Sequence, residues 1–355
     1  MNSAISAIDD TDRALVHALQ LAPRASWELL GPVLGARPDT LARRWERLTG
    51  SGEAWLSGLG LRTGVTKPCM AWVEVTCTAG TSPSVGDALV ADPHALGVEH
   101  TTGSRDLLVF VAVPDLPTLY SYLSSRVQRI PGVVGTRTSM VTAVHYAPDR
   151  WRLDQLTPGQ IGLLTRRTRR TRRPASAAQD RPAVAPLQAE DRPLVLALAS
   201  DARRTVASLA REFAMSETTV RRRLARLEGG QSLRYSCALA SGLSGWPVSA
   251  TLWAEASEFE LADCAAVAAG LRETRICMSV SGPWNFMISA RLRTVEDLSR
   301  YTAELTRRLP GLRVTDSAVA LQVRKTEAQE LDRRGHRVRT VIPDIWSAPV
   351  STDTA

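Results

Sequence analysis

The chain has 355 residues, of which 44% are apolar and 23% charged, and its formal net charge is +8. That length allows two or more domains, and that apolar fraction can fill several small cores, so a mostly disordered chain is excluded. The longest apolar stretches, such as 107–113, are far shorter than the roughly 18 residues that cross a bilayer, the first residues lack a basic segment followed by an apolar core, and the five cysteines form no CxxC pair. Membrane, disulfide-framed and zinc-ribbon classes are set aside, and a cytoplasmic protein with buried thiols is expected. The charge is uneven along the chain: residues 151–186 carry 8 basic against 2 acidic side chains, residues 187–240 carry 9 against 6, and the first 150 residues are close to neutral. A phosphate backbone would be met where the excess sits.

The chain divides into two modules, and each opens with three short helical patterns. In the first, Leu15, Val16 and Leu19 share one face, Trp27, Leu30 and Leu34 another, and Leu41, Trp45 and Leu48 recur at helical spacing. Helix starts are marked by Asp9 or Asp10, by Ser26 and by the run Pro38, Asp39, Thr40. A glycine-containing turn and a short strand near 54–56 then suggest a β-hairpin wing. The next stretch reads β-α-β-β-α-β, with strands near 71–76, 97–102, 107–113 and 133–145 and helices near 84–91 and 116–130. An arginine-rich, proline-containing segment over 165–187 follows; it repels itself and is expected to be a flexible tether.

The second half repeats the first with each counterpart 179 positions later, without a gap from Asp12/Asp191 to Gly132/Gly311, and 13 of the 37 positions between Asp12 and Leu48 are identical in both copies. Its helix starts fall at Thr205 and Ser216. Its second part predicts strands near 248–256, 275–281, 286–292 and 313–323 and helices near 261–271 and 295–309. The residues after 326 are expected to be poorly ordered.

In a helix-turn-helix the second helix of the pair enters the major groove, so its outer face must be polar or basic while an apolar stripe pins it to the bundle. Both third helices fit. Leu41, Trp45 and Leu48 point inward and leave Thr40, Arg43, Arg44 and Arg47 outward; Val220, Leu224 and Leu227 point inward and leave Thr218, Thr219, Arg221, Arg222, Arg223 and Arg226 outward, with Ser216 as cap. Arginine can pair with guanine edges or clamp phosphate, and hydroxyl side chains suit either contact. The plainer reading, a solvated basic face, weakens because the motif occurs twice with its arginines.

At this point the chain resembles the Lrp/AsnC family of bacterial transcriptional regulators. The resemblance rests on the start from Asp9 to Arg13 with Leu15 and Leu19, on Arg24 before the second helix, on Thr40 to Leu48 as recognition helix, and on the βαββαβ region with Gly103, Ser104, Arg105 and Asp106 between its middle strands. It implies an α+β chain in which two winged helix-turn-helix domains, 8–60 and 187–240, alternate with two ferredoxin-like sensing domains of the RAM/AsnC type, 66–148 and 245–325, joined by a basic linker over 149–186 and ended by a flexible tail over 326–355. It further implies double-stranded DNA as partner, an amino acid or similar small effector, pairing through the sensing sheets as a homo-oligomer or intrachain pseudo-dimer, and a nucleoid-associated location; neither cofactor nor metal is called for. The family's Gly-x-x-Asp turn is matched at Gly103, Arg105 and Asp106, whereas the second copy has Gly282 and Asn285 around Pro283 and Trp284, so an α-amino ligand would favour the first site. The alternative is that both glycines only serve a tight turn. The first copy also replaces the usual serine cap with Arg37 and Pro38, which weights DNA affinity toward the second reader.

An enzyme on the same scaffold is the competing expectation. Sirohaem decarboxylases resemble this family and place histidines and arginines around a tetrapyrrole. Here the five histidines are His17, His94, His100, His145 and His336, and none falls between 184 and 333. The second sheet therefore has no imidazole to act as acid or ligand.

Overall fold

A computed structural model describes residues 8–60, 68–171, 187–230 and 232–348. In chain order the first half holds α1 (Asp10–Leu21), α2 (Trp27–Leu34), α3 (Pro38–Gly50), β1 (Ala54–Gly60), β2 (Cys69–Cys77), α4 (Ser82–Val90), β3 (Ala95–Thr101), β4 (Leu107–Val113), α5 (Leu116–Tyr122), β5 (Val133–Tyr146) and α6 (Pro158–Thr171). The second half holds α7 (Arg192–Ser200), α8 (Val206–Glu212), α9 (Glu217–Gly229), β6 (Leu233–Leu239), β7 (Val248–Glu255), α10 (Leu261–Ala269), β8 (Thr274–Val280), β9 (Phe286–Leu292), α11 (Asp297–Arg308), β10 (Arg313–Thr326), β11 (Gln329–Leu331) and β12 (Arg337–Thr340). None of the described helices is long and apolar enough to cross a membrane. These elements form two compact units that do not follow the two modules: Met1–Gly60 with Arg152–Ser244, and Leu61–Trp151 with Gly245–Ala355. Like elements of the two copies are gathered together.

In the first unit the capping residues read from the sequence make their bonds. Asp9 caps α1 and forms a reciprocal box with Asp12, Ser26 caps α2, and Thr205 and Ser216 cap α8 and α9, each satisfying amide groups that a helix start leaves open. Arg37 gives α3 no side-chain cap, and Pro38 opens that helix instead. Leu41, Trp45 and Leu48 are buried, as are Val220, Leu224 and Leu227.

The expected β-hairpin wing is not what forms. β1 pairs antiparallel with β6 of the other copy, from Ala54 opposite Leu239 to Gly60 opposite Leu233. The pairing is centred on Ser57 opposite Ser236, which are repeat counterparts, so the ribbon has a local pseudo-twofold there. A single wing strand leaves a row of unpaired amide groups, and the counterpart strand supplies their partners.

The segment between the modules also departs from expectation. Residues 165–171, read as tether, continue α6, which packs against α2 with Leu164 buried and Gln160 Nε2 donating to the Val33 carbonyl at 3.0 Å. Arginine is a good helix former, and this anchor provides the packing that an isolated basic helix lacks. The rest of the tether, 172–186 with Arg172, Arg173, Pro174, Pro182 and Pro186, lies outside the described residues. Just before α6, His17 Nδ1 accepts from the backbone amides of Gln155 and Leu156 at 2.8 and 3.0 Å. Burial pushes the His17 imidazole down to about 4, so the neutral acceptor form holds this strap on α1 at neutral pH.

The second unit contains both βαββαβ repeats. The first has the strand order β3-β4-β2-β5 and the second β8-β9-β7-β10, each the ferredoxin-like order. Each long last strand serves two sheets. β5 pairs with β2 through Met140 and then with β8 from Val141, while β10 pairs with β7 through Val319 and then with β3 from Ala320. The eight strands thereby close on themselves and leave few free edges.

Helix-facing cores lie on one side of each repeat, built around Val73, Leu89, Val109 and Tyr122 in the first and Leu252, Ile288, Tyr301 and Leu305 in the second. A third core gathers Trp72, Leu108, Trp253, Met278, Trp284 and Met287 from both repeats. Each such tryptophan removes about 200 Å² from water, worth on the order of 5 kcal/mol as an upper bound, several times a net hydrogen bond. Burial of this mixed core is therefore the main force pairing the repeats.

The expected flexible tail is corrected over 326–348, while 349–355 lie outside the described residues: β11 and β12 form a hairpin, and Ala328, Gln329, Leu331 and Ile345 are buried. Ala328 and Ile345 pack with Leu96 and Ala112 of the first repeat. These apolar residues are too sparse to show a period, so only their packing reveals the order. Lys325, at the end of β10, is buried and donates from Nζ to the carbonyls of Val90 and Asp92 at 2.9 and 2.7 Å. Burial pulls its ammonium down to about 7. The folded state thus holds fewer protons than the unfolded chain above about pH 7, and stability from this site rises with pH until the unfolded lysine also titrates. Urea titrations at pH 7 and pH 9 should show that rise, and Lys325→Met should flatten it; an unchanged slope in the variant would exclude Lys325 as its source.

Candidate nucleic-acid interface and effector sites

The arginines of the two third helices fall into two classes. Arg44 donates to Asp9 and Asp12 at 2.8 and 2.9 Å, and Arg47 pairs with Asp12 and Glu53. In the second copy Arg223 donates to the Glu190 carbonyl at 2.6 Å, and Arg226 pairs with Asp191. Asp12 and Asp191 are about 1% and 0% exposed; Asp12 is met by Arg44 and Arg47 and Asp191 by Arg226, while Arg223 is held by the Glu190 carbonyl, so in both copies two arginines are turned back to tie α3 to α1 and α9 to the start of α7. That leaves Thr40 and Arg43 on the first outer face, and Thr218, Thr219, Arg221 and Arg222 on the second. Ser216 Oγ accepts from the Thr219 amide at 3.1 Å, and Arg221 pairs with Glu217 at 2.7 Å. Arg43 and Arg222, which are repeat counterparts, are exposed and have no ion pair among the described residues.

The two helix-turn-helix units are also tied to each other. Arg24 donates to the carbonyls of Ala202 and Arg204, while its counterpart Arg203 donates to those of Pro23 and Ala25 at 3.0 and 2.9 Å. Arg203 further lies 3.8 Å over the Trp27 ring. In the sequence Arg24 stands as a motif position, and its repeat at Arg203 is the one signal there for this reciprocal clasp.

In the βαββαβ repeats the two turns make backbone latches. Gly103 and Gly282 have φ of 98° and 122°, a region that favours glycine. Asp106 Oδ2 accepts from the Cys77 amide at 2.7 Å. Its counterpart Asn285 accepts from the Ala256 amide at 3.1 Å and donates to the Ala256 carbonyl at 2.8 Å. Cys77 and Ala256 are themselves counterparts, so carboxylate and amide act as the same latch between β4 or β9 and the end of the first strand.

Arg105 is buried between the repeats. Its Nε lies 3.0 Å from Glu74, its other end pairs with Asp316, and its guanidinium stacks 4.0 Å over Trp253. Arg137 stands 5.7 Å over Trp284. By repeat position Glu74, Arg105 and Arg137 correspond to Trp253, Trp284 and Asp316. The first copy therefore contributes one acid and two guanidiniums, and the second contributes the rings and the acid that receive them. Burial raises the Glu74 carboxyl above its ordinary range, while Arg105 and Arg137 oppose that rise.

A cavity of about 510 Å³ was not foreseen from the sequence. It opens beside α4, β10 and the β11–β12 hairpin, with Asp87, His100, Gln322, Arg324 and Arg333 among its lining residues. Asp87 and Arg324 are paired at 2.6 Å, and His100 Nδ1 is 2.9 Å from Ser82 Oγ. No motif marks it because its walls come from segments more than 200 residues apart.

Known proteins agree with this architecture. A family model described as the Lrp/AsnC ligand binding domain matches residues 70–149 and 251–330, and one described as the AsnC-type helix-turn-helix domain matches 8–49 and 189–228. The HTH-type transcriptional regulator FL11 of Pyrococcus furiosus is 28% identical over 144 residues, which is 39% of this chain and 91% of that protein. Among solved structures, the siroheme decarboxylase NirDL has a TM-score of 0.57 at 14% identity, covering 90% of this chain and 93% of that one. Its complex with an iron-uroporphyrin III analogue has a TM-score of 0.58, also at 14% identity, covering 94% and 95%. At that identity the likeness is one of fold. With both family domains matched twice in alternation, this chain belongs to the Lrp/AsnC family.

Proposed function

We propose that the protein is a sequence-specific DNA-binding transcriptional regulator in which one chain supplies both readers and both sensing sheets, and that a small charged metabolite, such as an amino acid, modulates it. The observation that carries the reading is the clasped pair of helix-turn-helix units, each presenting at the same position of its second helix an exposed arginine with no ion pair among the described residues. A bidentate arginine contact to guanine contributes about 1–3 kcal/mol of discrimination. Arg222→Ala is expected to weaken operator binding about 10- to 100-fold, and Arg43→Ala less, because Arg221 and the surrounding positive charge strengthen only the second reader. Titration of labelled operator at fixed salt checks this; equal losses would remove the ranking, and no loss from either would remove both helices from the interface. The single arginines are the informative variants, since Arg44, Arg47, Arg223 and Arg226 hold the bundle together.

For the effector, the cavity beside Arg324 and Arg333 joins the turns at Gly103 and Gly282 as a candidate; Asp106 and Asn285 already hold the end of the first strand, and Arg324 already pairs with Asp87, so a ligand at either place would compete with an existing contact. A ligand acts as an effector only through different affinities for two arrangements. The second reading, a tetrapyrrole-modifying enzyme, is supported by the fold likeness to NirDL. Against it, Trp72, Trp253 and Trp284 fill the space between the repeats, and the second copy has no histidine there. Adding an iron porphyrinoid and recording its absorption tests that reading: a ligand-induced band shift would favour it over the regulator.

A further inference from the structure

The two readers have kept the same centre and changed their flanks. At matched positions of α3 and α9, Thr40 and Arg43 have identical counterparts in Thr219 and Arg222, whereas Asp39, Ala42 and Glu46 stand opposite Thr218, Arg221 and Ala225. All of these except Thr40, Ala42 and Thr219 are exposed. One outer face thus carries two carboxylates around its arginine; the other has none at those positions and a second guanidinium.

Two features stop the readers from being sorted into like pairs. β1 and β6 pair across the copies and are braced by Arg24 and Arg203. Between the βαββαβ repeats, a pairing of first copies would keep each Glu74–Arg105 pair but leave two buried Arg105 side chains without Asp316 or the Trp253 ring, and two Arg137 without Trp284. Stripping a buried guanidinium of part of its partner set is unfavourable, so this divergence acts against the homotypic pair.

We propose that the protein reads an asymmetric operator: two inverted half-sites that share the base pair contacted by Arg43 and Arg222 and differ on either side of it, bound in one orientation. The inference rests on the regulator reading above and adds what the DNA must look like. Operator symmetry mirrors the symmetry of the readers, and here only the backbone is symmetric. Asp39 and Glu46 can accept from a cytosine amino group and repel phosphate, while Arg221 can take guanine or phosphate, so the flanks call for different bases.

The test is selection of bound duplexes from a random pool by the full chain. The expected consensus has a guanine at mirrored positions and unlike flanks, and a duplex made symmetric from either half should bind about tenfold or more weakly than the selected site. A perfect inverted repeat as consensus would overturn the proposal while leaving the regulator reading standing; failure to enrich any sequence would overturn both. Asp39→Thr with Ala42→Arg and Glu46→Ala gives the first reader the second's residues at these three flank positions, with Arg37 and Pro38 still opposite Ser216 and Glu217, and these changes leave the apolar stripe intact. This variant should select a symmetric repeat of the second half-site. An unchanged asymmetric consensus from a variant with the parent's circular dichroism spectrum would also overturn the proposal.

Discussion

Replacing Arg105 with alanine should destabilise the paired sensing sheets by about 3–5 kcal/mol, because Glu74 would stay buried without its nearest cation and Asp316 and the Trp253 ring would lose their partner. Urea unfolding followed by tryptophan fluorescence reads this directly, since Trp253 and Trp284 lie beside the site. The pH dependence has a definite sign. Burial already raises the Glu74 carboxyl, and Arg105 is first among the cations that oppose this; without it the folded state would favour protonated Glu74 more strongly. An acid whose folded-state value is raised destabilises the fold as pH rises above its unfolded value, so the gap between variant and parent should narrow as the pH falls toward about 4. Arg105→Met with Glu74→Gln removes both charges and should recover most of the loss. A single-variant cost below about 1 kcal/mol would show that the guanidinium does not hold the two repeats together.

The second large effect is expected at the clasp. Arg24→Ala with Arg203→Ala removes reciprocal bonds to four carbonyls and the stacking on Trp27. Burial pulls the Arg203 guanidinium down to about 10, which leaves it charged at neutral pH, and a hydrogen bond from a charged donor contributes about 1.5–3 kcal/mol. Without the clasp the readers would still be joined by the β1–β6 ribbon, by α7 packed on β1 and α1 on β6, and by Gln20 donating to the Cys237 carbonyl, but the α2 and α8 ends that the clasp ties would lose their fixed spacing on the two half-sites. Linked sites engaged together gain about 10² to 10⁴ in affinity, so operator binding should fall by roughly 100-fold or more while binding to random duplex keeps its salt slope. Parallel losses on both duplexes would mean that the clasp stabilises the fold without setting reader geometry.

Much of the fold was legible in the sequence, and the places where it was not share a cause. The apolar stripe Leu41, Trp45 and Leu48 fixes the inner face of α3, but it puts Arg43, Arg44 and Arg47 together on the polar side. Which of them turns back is decided by Asp12, whose carboxylate lies 35 positions from Arg47. The wing illustrates the same limit: alternation marks a strand near residue 55, yet its partner is the counterpart strand and not a neighbour in a hairpin. For the Gly-x-x-Asp turn, the sequence admits either a ligand group with a blunted copy or a plain tight turn; the bonds to Cys77 and Ala256 make Asp106 and Asn285 equivalent latches.

The sequence alone determined the duplication, the order of elements and the helix starts, because repeats, apolar periods and caps act over a few residues or at a constant offset. Only the tertiary structure decided that like pairs with like, which arginines are anchors, and that the two copies meet through unlike residues. Those outcomes depend on contacts such as that of Arg105 with Asp316, 211 positions apart. Burial between the sheets makes the two side chains mutually necessary there, and no local pattern in either segment carries that requirement.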